Sequence, residues 1–568
     1  MPNYPWYDVR EIRDLRDMLA QSARLYGPRD AFRVKYGDTW TGITYAEFTR
    51  RVTALEAALA LHGHRPGRTM GIYSEGRWEW ALAYLAGAGS GGINVPVDKD
   101  LREGEVRHIL DATRAELLVT SERFADPVRE IRVALPRLKT VISMDAPAHD
   151  GGVLSLARLL EEGAERIRAE GAPAPAIDPE ATAAIIYTSG TMGSSKGVML
   201  SHRNITANMM DMCRAVYIDE HDTFLSVLPL HHTYECTCGM LTPLYRGCTI
   251  VYCDNLRRVA DTMREVKPTM MLGVPLLFES MYRKIQEGID QRGRGRFRLA
   301  KGLVGVTGLL GLDLRKKVFG AVHQKFGGRL RLLVSGGAAV DPDVVKFFRE
   351  LGIHCIQGYG LTECAPILAV NRSKLFKDGA AGLPLPHVEI RIVDGEICAR
   401  GPNIMQGYFE NPEATAEMIR DGWLHTGDLG YIDDDGFVHI QGRKKAVIVL
   451  ANGKNVYPEE VEYYLNQSPF ILESLVWEGP EATGPEVEEI QAIIVPNMEA
   501  VDKHCQEKGV TLSDELVEEI LRTELRRRCA GLPPYKRVRR FTIRWEEFDK
   551  TTTRKIKRFL YTQKIMKI

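Results

Sequence analysis

The run Tyr187-Thr188-Ser189-Gly190-Thr191-Met192-Gly193-Ser194-Ser195-Lys196-Gly197 gathers hydroxyls, glycines and one lysine after the apolar stretch Ala183 to Tyr187 and before a helical pattern. Glycines let successive backbone N–H groups converge on one anion, hydroxyls add donors, and Lys196 adds a positive charge, so the run suits phosphate oxygens. It is not a G-x-x-x-x-G-K-[ST] loop, because Lys196 follows Ser195. A plain Ser/Gly linker would share the composition, but linkers seldom sit between a buried strand and a capped helix.

Other runs carry groups that such chemistry would need. Gly358-Tyr359-Gly360-Leu361-Thr362-Glu363 sets an aromatic face, a hydroxyl and a carboxylate on one turn; alone, it would pass for an exposed turn with a capping threonine. Thr426-Gly427-Asp428 places an acid where it can chelate a vicinal diol or cap a turn. Gly442-Arg443-Lys444-Lys445 is a basic run that also fits a solvated linker. In Ser335-Gly336-Gly337-Ala338-Ala339 the small side chains let backbone approach a ligand, although a strand-to-helix turn would look the same.

The first run resembles the phosphate-binding loop of the AMP-forming acyl-CoA synthetases, members of the adenylate-forming superfamily, and the likeness extends from about residue 20 to 560. The resemblance implies that ATP activates a carboxylic acid as an acyl-adenylate, that pyrophosphate leaves, and that the acyl group passes to a thiol. It implies a nucleotide site from Thr188, Ser189, Gly190, Thr191, Gly193, Lys196, Gly337, Ala338, Gly358, Tyr359, Gly360 and Thr362, with Tyr359 against adenine and Thr362 near the α-phosphate. Glu363 and Thr188 would hold Mg2+, for which one protein carboxylate beside phosphate oxygens suffices. Asp428 and Arg443 would reach the ribose, and Lys445 matches the residue where the family's hinge turns. Asn452-Gly453-Lys454-Asn455 resembles the loop lining the thiol tunnel, which assigns Gly453, Lys454 and Asn455 to coenzyme A; Asn452 stands where many relatives have glycine. Lys555 aligns with the catalytic lysine, preceded by Arg554 in place of the usual glycine. In Pro229-Leu230-His231-His232, His232 is the candidate substrate-facing residue, with a structural histidine as the alternative. Glu75-Gly76-Arg77-Trp78-Glu79-Trp80 is similar to a segment of long-chain fatty acyl-CoA synthetases, departing at Gly76 and Trp78, and favours a medium- to long-chain fatty acid.

These residues need a framework. With 568 residues the chain exceeds one core, since cores stop growing near about 250–300 residues. Short apolar runs ending in glycine turns (Met270 to Val274, Leu330 to Ser335, His354 to Gln357) alternate with helical patterns such as Arg50 to Leu61 and Asn204 to Val216, the latter with Asn204 as its cap. The expectation is α/β: a large N-terminal layered region over residues 1–441, and a small mobile C-terminal α+β lid over residues 442–568. In the lid, Pro458 opens one helix and Ser513 caps another. The uncharged stretch Trp80 to Val97 holds four glycines, so it reads as helix, turn and strand rather than a membrane span.

Seventy-five basic residues balance 75 acidic ones, which argues against nucleic acid as a partner. Ten scattered cysteines and the absence of a signal-like start favour a reduced, cytoplasmic setting. Arg292, Arg294, Arg296, Arg298 and Lys301 precede the apolar run Leu303 to Leu312, and Arg315, Lys316 and Lys317 follow it. That pattern fits either peripheral contact with an anionic membrane or a buried helix with solvated ends. The expected substrates are ATP, a fatty acid and coenzyme A. A carrier-protein acceptor and a non-catalytic nucleotide- or lipid-binding relative are the rival readings, and the sequence does not indicate an oligomeric state.

Overall fold

The computed structural model describes residues 5–172, 175–188, 195–253, 255–450, 454–480, 488–550, 556–558 and 560–561. The chain divides into two compact units. The larger comprises Met1–Ile390, Ala399–Leu424 and Asp433–Val438; the smaller comprises Arg391–Cys398, His425–Ile432 and His439–Ile568.

Two sheets build the larger unit, and both consist mainly of short strands that read as unbroken apolar runs, as strands covered on both faces do. Among the described residues one sheet has eight strands, in the order Gly407–Tyr408, Gly197–Ser201, Thr182–Tyr187, Ile93–Pro96, Thr69–Tyr73, Leu117–Thr120, Thr140–Ser143 and Val153–Ser155. The other has nine, in the order Leu383–Pro384, Ile367–Val370, His354–Gly360, Leu332–Ser335, Met270–Gly273, Thr223–Ser226, Thr249–Tyr252, Asp30–Tyr36 and Thr39–Thr44. Parallel pairing in the middle of each sheet requires crossover connections, and the helices supply them. The α/β expectation holds. Trp78–Gly89 and Ile93–Pro96 are the helix and strand expected between residues 80 and 97.

The structure adds one element to the expected order and corrects one cap. Gly197–Ser201 is a strand pairing antiparallel with Thr182–Tyr187, so a strand stands between the hydroxyl-rich run and the helical pattern that follows it. The following helix, His202–Ala215, is capped by Ser201, whose side chain accepts from the Asn204 N–H. Asn204 returns a bond to the Ser201 N–H at 2.9 Å, so it completes a reciprocal cap from three residues inside the helix.

In the smaller unit Ile471–Pro480 pairs antiparallel with Glu488–Pro496, which pairs parallel with Arg540–Ile543. Helices Pro458–Asn466 and Asp514–Cys529 close this sheet's core through Val461, Leu465, Leu521 and Leu525, packed with Ile494. Pro458 opens the first helix and the Ser513 side chain caps the second, both as expected. Among the described residues no helix is long and apolar enough to cross a membrane.

Candidate active site

In the larger unit the hairpin closes at the foot of the hydroxyl-rich run. The Thr188 N–H donates to the Lys196 carbonyl at 3.1 Å, fixing where the run leaves the sheet and where it returns. Ser189, Gly190, Thr191 and Gly193 lie outside the described residues. The Lys196 ammonium sits 4.7 Å from the centre of the Tyr408 ring, and the Tyr408 hydroxyl donates to Glu363 Oε1 at 2.8 Å. Tyr408 thus ties the lysine of one run to the carboxylate of another. Burial, reinforced by the Glu363 carboxylate, pushes its phenol well above the ordinary value, so it stays a donor.

Glu363 is buried, and the Met405 N–H donates to its carbonyl at 2.9 Å. One carboxylate, with Thr188 at the base of the neighbouring hairpin, suits a hard cation that keeps most of its other oxygen ligands from water or phosphate. Among the described residues no cluster of three or more metal-ligating side chains occurs.

Gly358, Tyr359 and Gly360 end the strand His354–Gly360, opposite Val370, Ala369 and Ile367. Gly360 is required by a close approach: a Cβ there would lie 1.8 Å from the Pro366 carbonyl oxygen. Tyr359 is 7% exposed, so it offers at most a ring edge or face at the surface, and Thr362 begins the short turn that carries Glu363. Gly337 adopts φ 84°, and Ala338 beside it is exposed. The preceding Gly336 packs its α-carbon on Tyr234, whose hydroxyl donates to the Val334 carbonyl at 2.9 Å. This joins the Pro229–Glu235 segment to the glycine turn. His232 is half-buried with its ring centre 4.2 Å from that of His231, and His231 lies 3.4 Å from Asp98.

In the smaller unit Asp428 and Arg443 meet: Arg443 Nε is 2.8 Å from Asp428 Oδ1. Thr426 fixes the turn by accepting the Asp428 N–H at 3.1 Å and donating to the Ile397 carbonyl at 2.7 Å. Gly427 has φ 71°, a left-handed conformation that glycine adopts without strain. Its N–H donates to Glu396 Oε1 at 3.0 Å, while Lys444 Nζ approaches Glu396 Oε2 at 2.9 Å. Although burial works in the opposite direction, the Lys444 ammonium, the Gly427 N–H and His425 together hold the Glu396 carboxyl below its ordinary range. Lys445 is exposed at the next position. Lys454 lies 4.5 Å from the Tyr535 ring centre, and Asn455 pairs with Val449. Gly453 and Lys555 lie outside the described residues. The chain on either side of Lys555 is placed: Lys550 bridges to Ile556, and Arg558 pairs with Glu462 and donates to the Val476 carbonyl.

Residues 19–409 match the family described as AMP-binding enzyme. The chain belongs to that family. It is 32% identical over 460 residues to the long-chain-fatty-acid–CoA ligase FadD15 of Mycobacterium bovis, covering 77% of this chain and 75% of that one. It is 28% identical over 568 residues to long-chain-fatty-acid–CoA ligase 1 of Homo sapiens, covering 89% and 78%. Its fold matches the crystal structure of the anthranilate CoA ligase AuaEII in complex with anthranoyl-AMP, with a TM-score of 0.77, 23% identity and coverage of 99% and 98%. Two residues of this AMP-binding enzyme join the candidate groups without having been singled out in its sequence, Tyr408 and Glu396. Neither had a local signal, because each acts by contact with distant segments; Tyr408 reaches Glu363 across 45 positions.

Proposed function

We propose that the chain is an ATP-dependent fatty acyl-CoA ligase that forms an acyl-adenylate, releases pyrophosphate and transfers the acyl group to coenzyme A. The observation that carries this reading is the Lys196–Tyr408–Glu363 contact, which brings a cation, a donor and a carboxylate from separate segments to one place. The long-chain ligases among its relatives support a fatty acid of medium to long chain as the substrate.

In this reading a fatty acid carboxylate attacks the α-phosphorus of ATP in line, and the chain's task is to offset the gathering negative charge. Backbone N–H groups and hydroxyls of residues 188–193, with Lys196, hold the phosphates. Thr362 sits by the α-phosphate, Tyr359, Gly337 and Ala338 flank adenine, and Asp428 with Arg443 receives the ribose diol. Magnesium, held by Glu363 and Thr188, would supply further positive charge at the phosphates. Lys555 bridges the acid and the α-phosphate in the first step only, and His232 faces the acyl carboxyl end. Residues 1–441 form the body and residues 442–568 the lid, which turns at Lys445 so that Gly453, Lys454 and Asn455 line the path of the thiol. A cytoplasmic enzyme in peripheral contact with a membrane suits a substrate that partitions into lipid.

Pyrophosphate release on mixing ATP with fatty acids from short to very long chain tests the first step. CoA-dependent and carrier-protein-dependent AMP formation then separates the two acceptors. No pyrophosphate with any acid of the series would sink the proposal.

A further inference from the structure

Helix Arg294–Leu309 carries apolar side chains both toward the core of the larger unit and toward solvent. Phe297, Ala300 and Val304 pack against the core that contains Phe278, Phe319 and Phe347, which seats the helix on the larger unit. Leu299, Leu303, Val306 and Leu310 follow at spacings of four, three and four residues, so they form one stripe on the side turned away from that core. These four are 77, 53, 60 and 72% exposed, and Leu309 and Leu312 beside them are 89 and 55% exposed. No residue of the helix is buried, so the buried-helix reading of this stretch fails. A contiguous apolar surface of this kind marks a place of contact.

Charge around the stripe selects the kind of partner. Arg294 is paired with Asp290, Lys301 with Glu350, and Arg315 with Asp313, so three of the flanking cations are neutralised locally. Arg296, Arg298, Lys316 and Lys317 are exposed and make no ion pair among the described residues. From Arg294 to Lys317 the sequence holds a single acid, Asp313, and that one is already paired. A second copy of the chain would bring these cations against their own kind, whereas an anionic lipid surface complements them.

We propose that this stripe is a membrane-docking surface. The leucines and Val306 enter the boundary between headgroups and acyl chains of an anionic leaflet, and Arg296, Arg298, Lys316 and Lys317 meet its phosphates. None of these residues has a role in the reaction proposed above, so the surface stands or falls separately from the ligase reading.

Flotation of the full chain with vesicles tests it, using phosphatidylcholine alone and equal parts phosphatidylcholine and phosphatidylglycerol. The unaltered chain is expected to bind the mixed vesicles at least about tenfold more tightly than the neutral ones, with binding weakened by salt. The triple variant Leu303→Ser, Val306→Ser, Leu310→Ser is expected to lose at least about tenfold on mixed vesicles while keeping its thermal melt. The quadruple variant Arg296→Gln, Arg298→Gln, Lys316→Gln, Lys317→Gln should fall to the level of neutral vesicles; if the serine variant melts early, this variant decides alone. Absence of binding by the unaltered chain, or unchanged binding by the folded variants, overturns the proposal. So does a dimer in sedimentation that the serine variant splits while neither protein floats, because the stripe would then lie between copies.

Discussion

In the larger unit Tyr408 and Glu363 are both buried and bonded to each other, whereas in the smaller unit Asp428 and Glu396 are buried acids paired with cations that half remain in water. Tyr408 and Glu363 are 5% and 8% exposed, and their bond holds two chain segments together. Asp428 and Glu396 are equally buried, with side chains 7% exposed, but their partners Arg443 and Lys444 are 49% and 53% exposed. A buried carboxylate keeps its position whatever its partner does, while a solvated cation can let go and take a new partner at little cost, since exposed ion pairs are worth about 0–1 kcal/mol. The Tyr408–Glu363 pair thus holds one fixed arrangement, while Arg443 and Lys444 can change partners over buried acids.

The sharpest test of that contrast is Lys555→Ala. If the lysine serves only in adenylation, that half-reaction should fall about 100- to 1,000-fold, the scale for losing one well-placed charge donor, while transfer to CoA from supplied acyl-AMP stays near the unaltered rate. Equal losses in both halves would break the division of labour. Next in size, Asp428→Ala should lower kcat/KM for ATP about 100-fold and Arg443→Ala about tenfold, since only the acid is fixed; matching losses in steady-state kinetics would erase the distinction between rigid acid and releasable cation. Tyr408→Phe keeps the ring beneath Lys196 but removes the bond to Glu363, so pyrophosphate release should slow about two- to tenfold, as for one hydrogen bond of about 0.5–1.5 kcal/mol.

The smallest effect on activity, and a direct one on stability, belongs to Glu235. It is 1% exposed at the end of the Pro229–Glu235 segment, hydrogen-bonded to Ser226, and burial pushes its carboxyl up from an ordinary 4.5 to about 8. The folded state therefore holds a proton that the unfolded chain gives up, and stability declines as pH rises from about 4.5, levelling once the folded group ionises near 8. Glu235→Gln should remove up to about 1.4 kcal/mol per pH unit of that slope, read from denaturant melts at pH 5 and pH 8. An unchanged slope would show that this part of the larger unit is open to water.

Much of this arrangement was legible along the chain. The runs at Leu332–Ser335 and His354–Gly360 announced themselves as apolar stretches cut by glycines, and Ser513 and Pro458 marked helix starts through capping chemistry that acts within one turn. The ion pair of Asp428 with Arg443 joins two runs whose separate motifs gave no sign of the contact. The strand Gly197–Ser201 escaped because its five residues lack alternation, and without a period a short apolar run does not declare itself strand or helix. Asn204 has the chemistry of a cap, but Ser201 three residues earlier has it too and holds the position. The helix Arg294–Leu309 left two readings open, since an apolar run flanked by basic residues describes a buried helix with solvated ends and a lipid-facing one alike.

All ten cysteines are buried and unbridged, and burial pushes the thiols of Cys213, Cys236 and Cys355 up to about 12. An acyl-adenylate is a mixed anhydride that acylates a thiolate it meets, and burial in apolar surroundings keeps a thiol in its protonated, poorly nucleophilic form. A ligase that makes such a species profits from keeping its own sulfur out of reach, and the burial of all ten cysteines guards this chain against acylating itself.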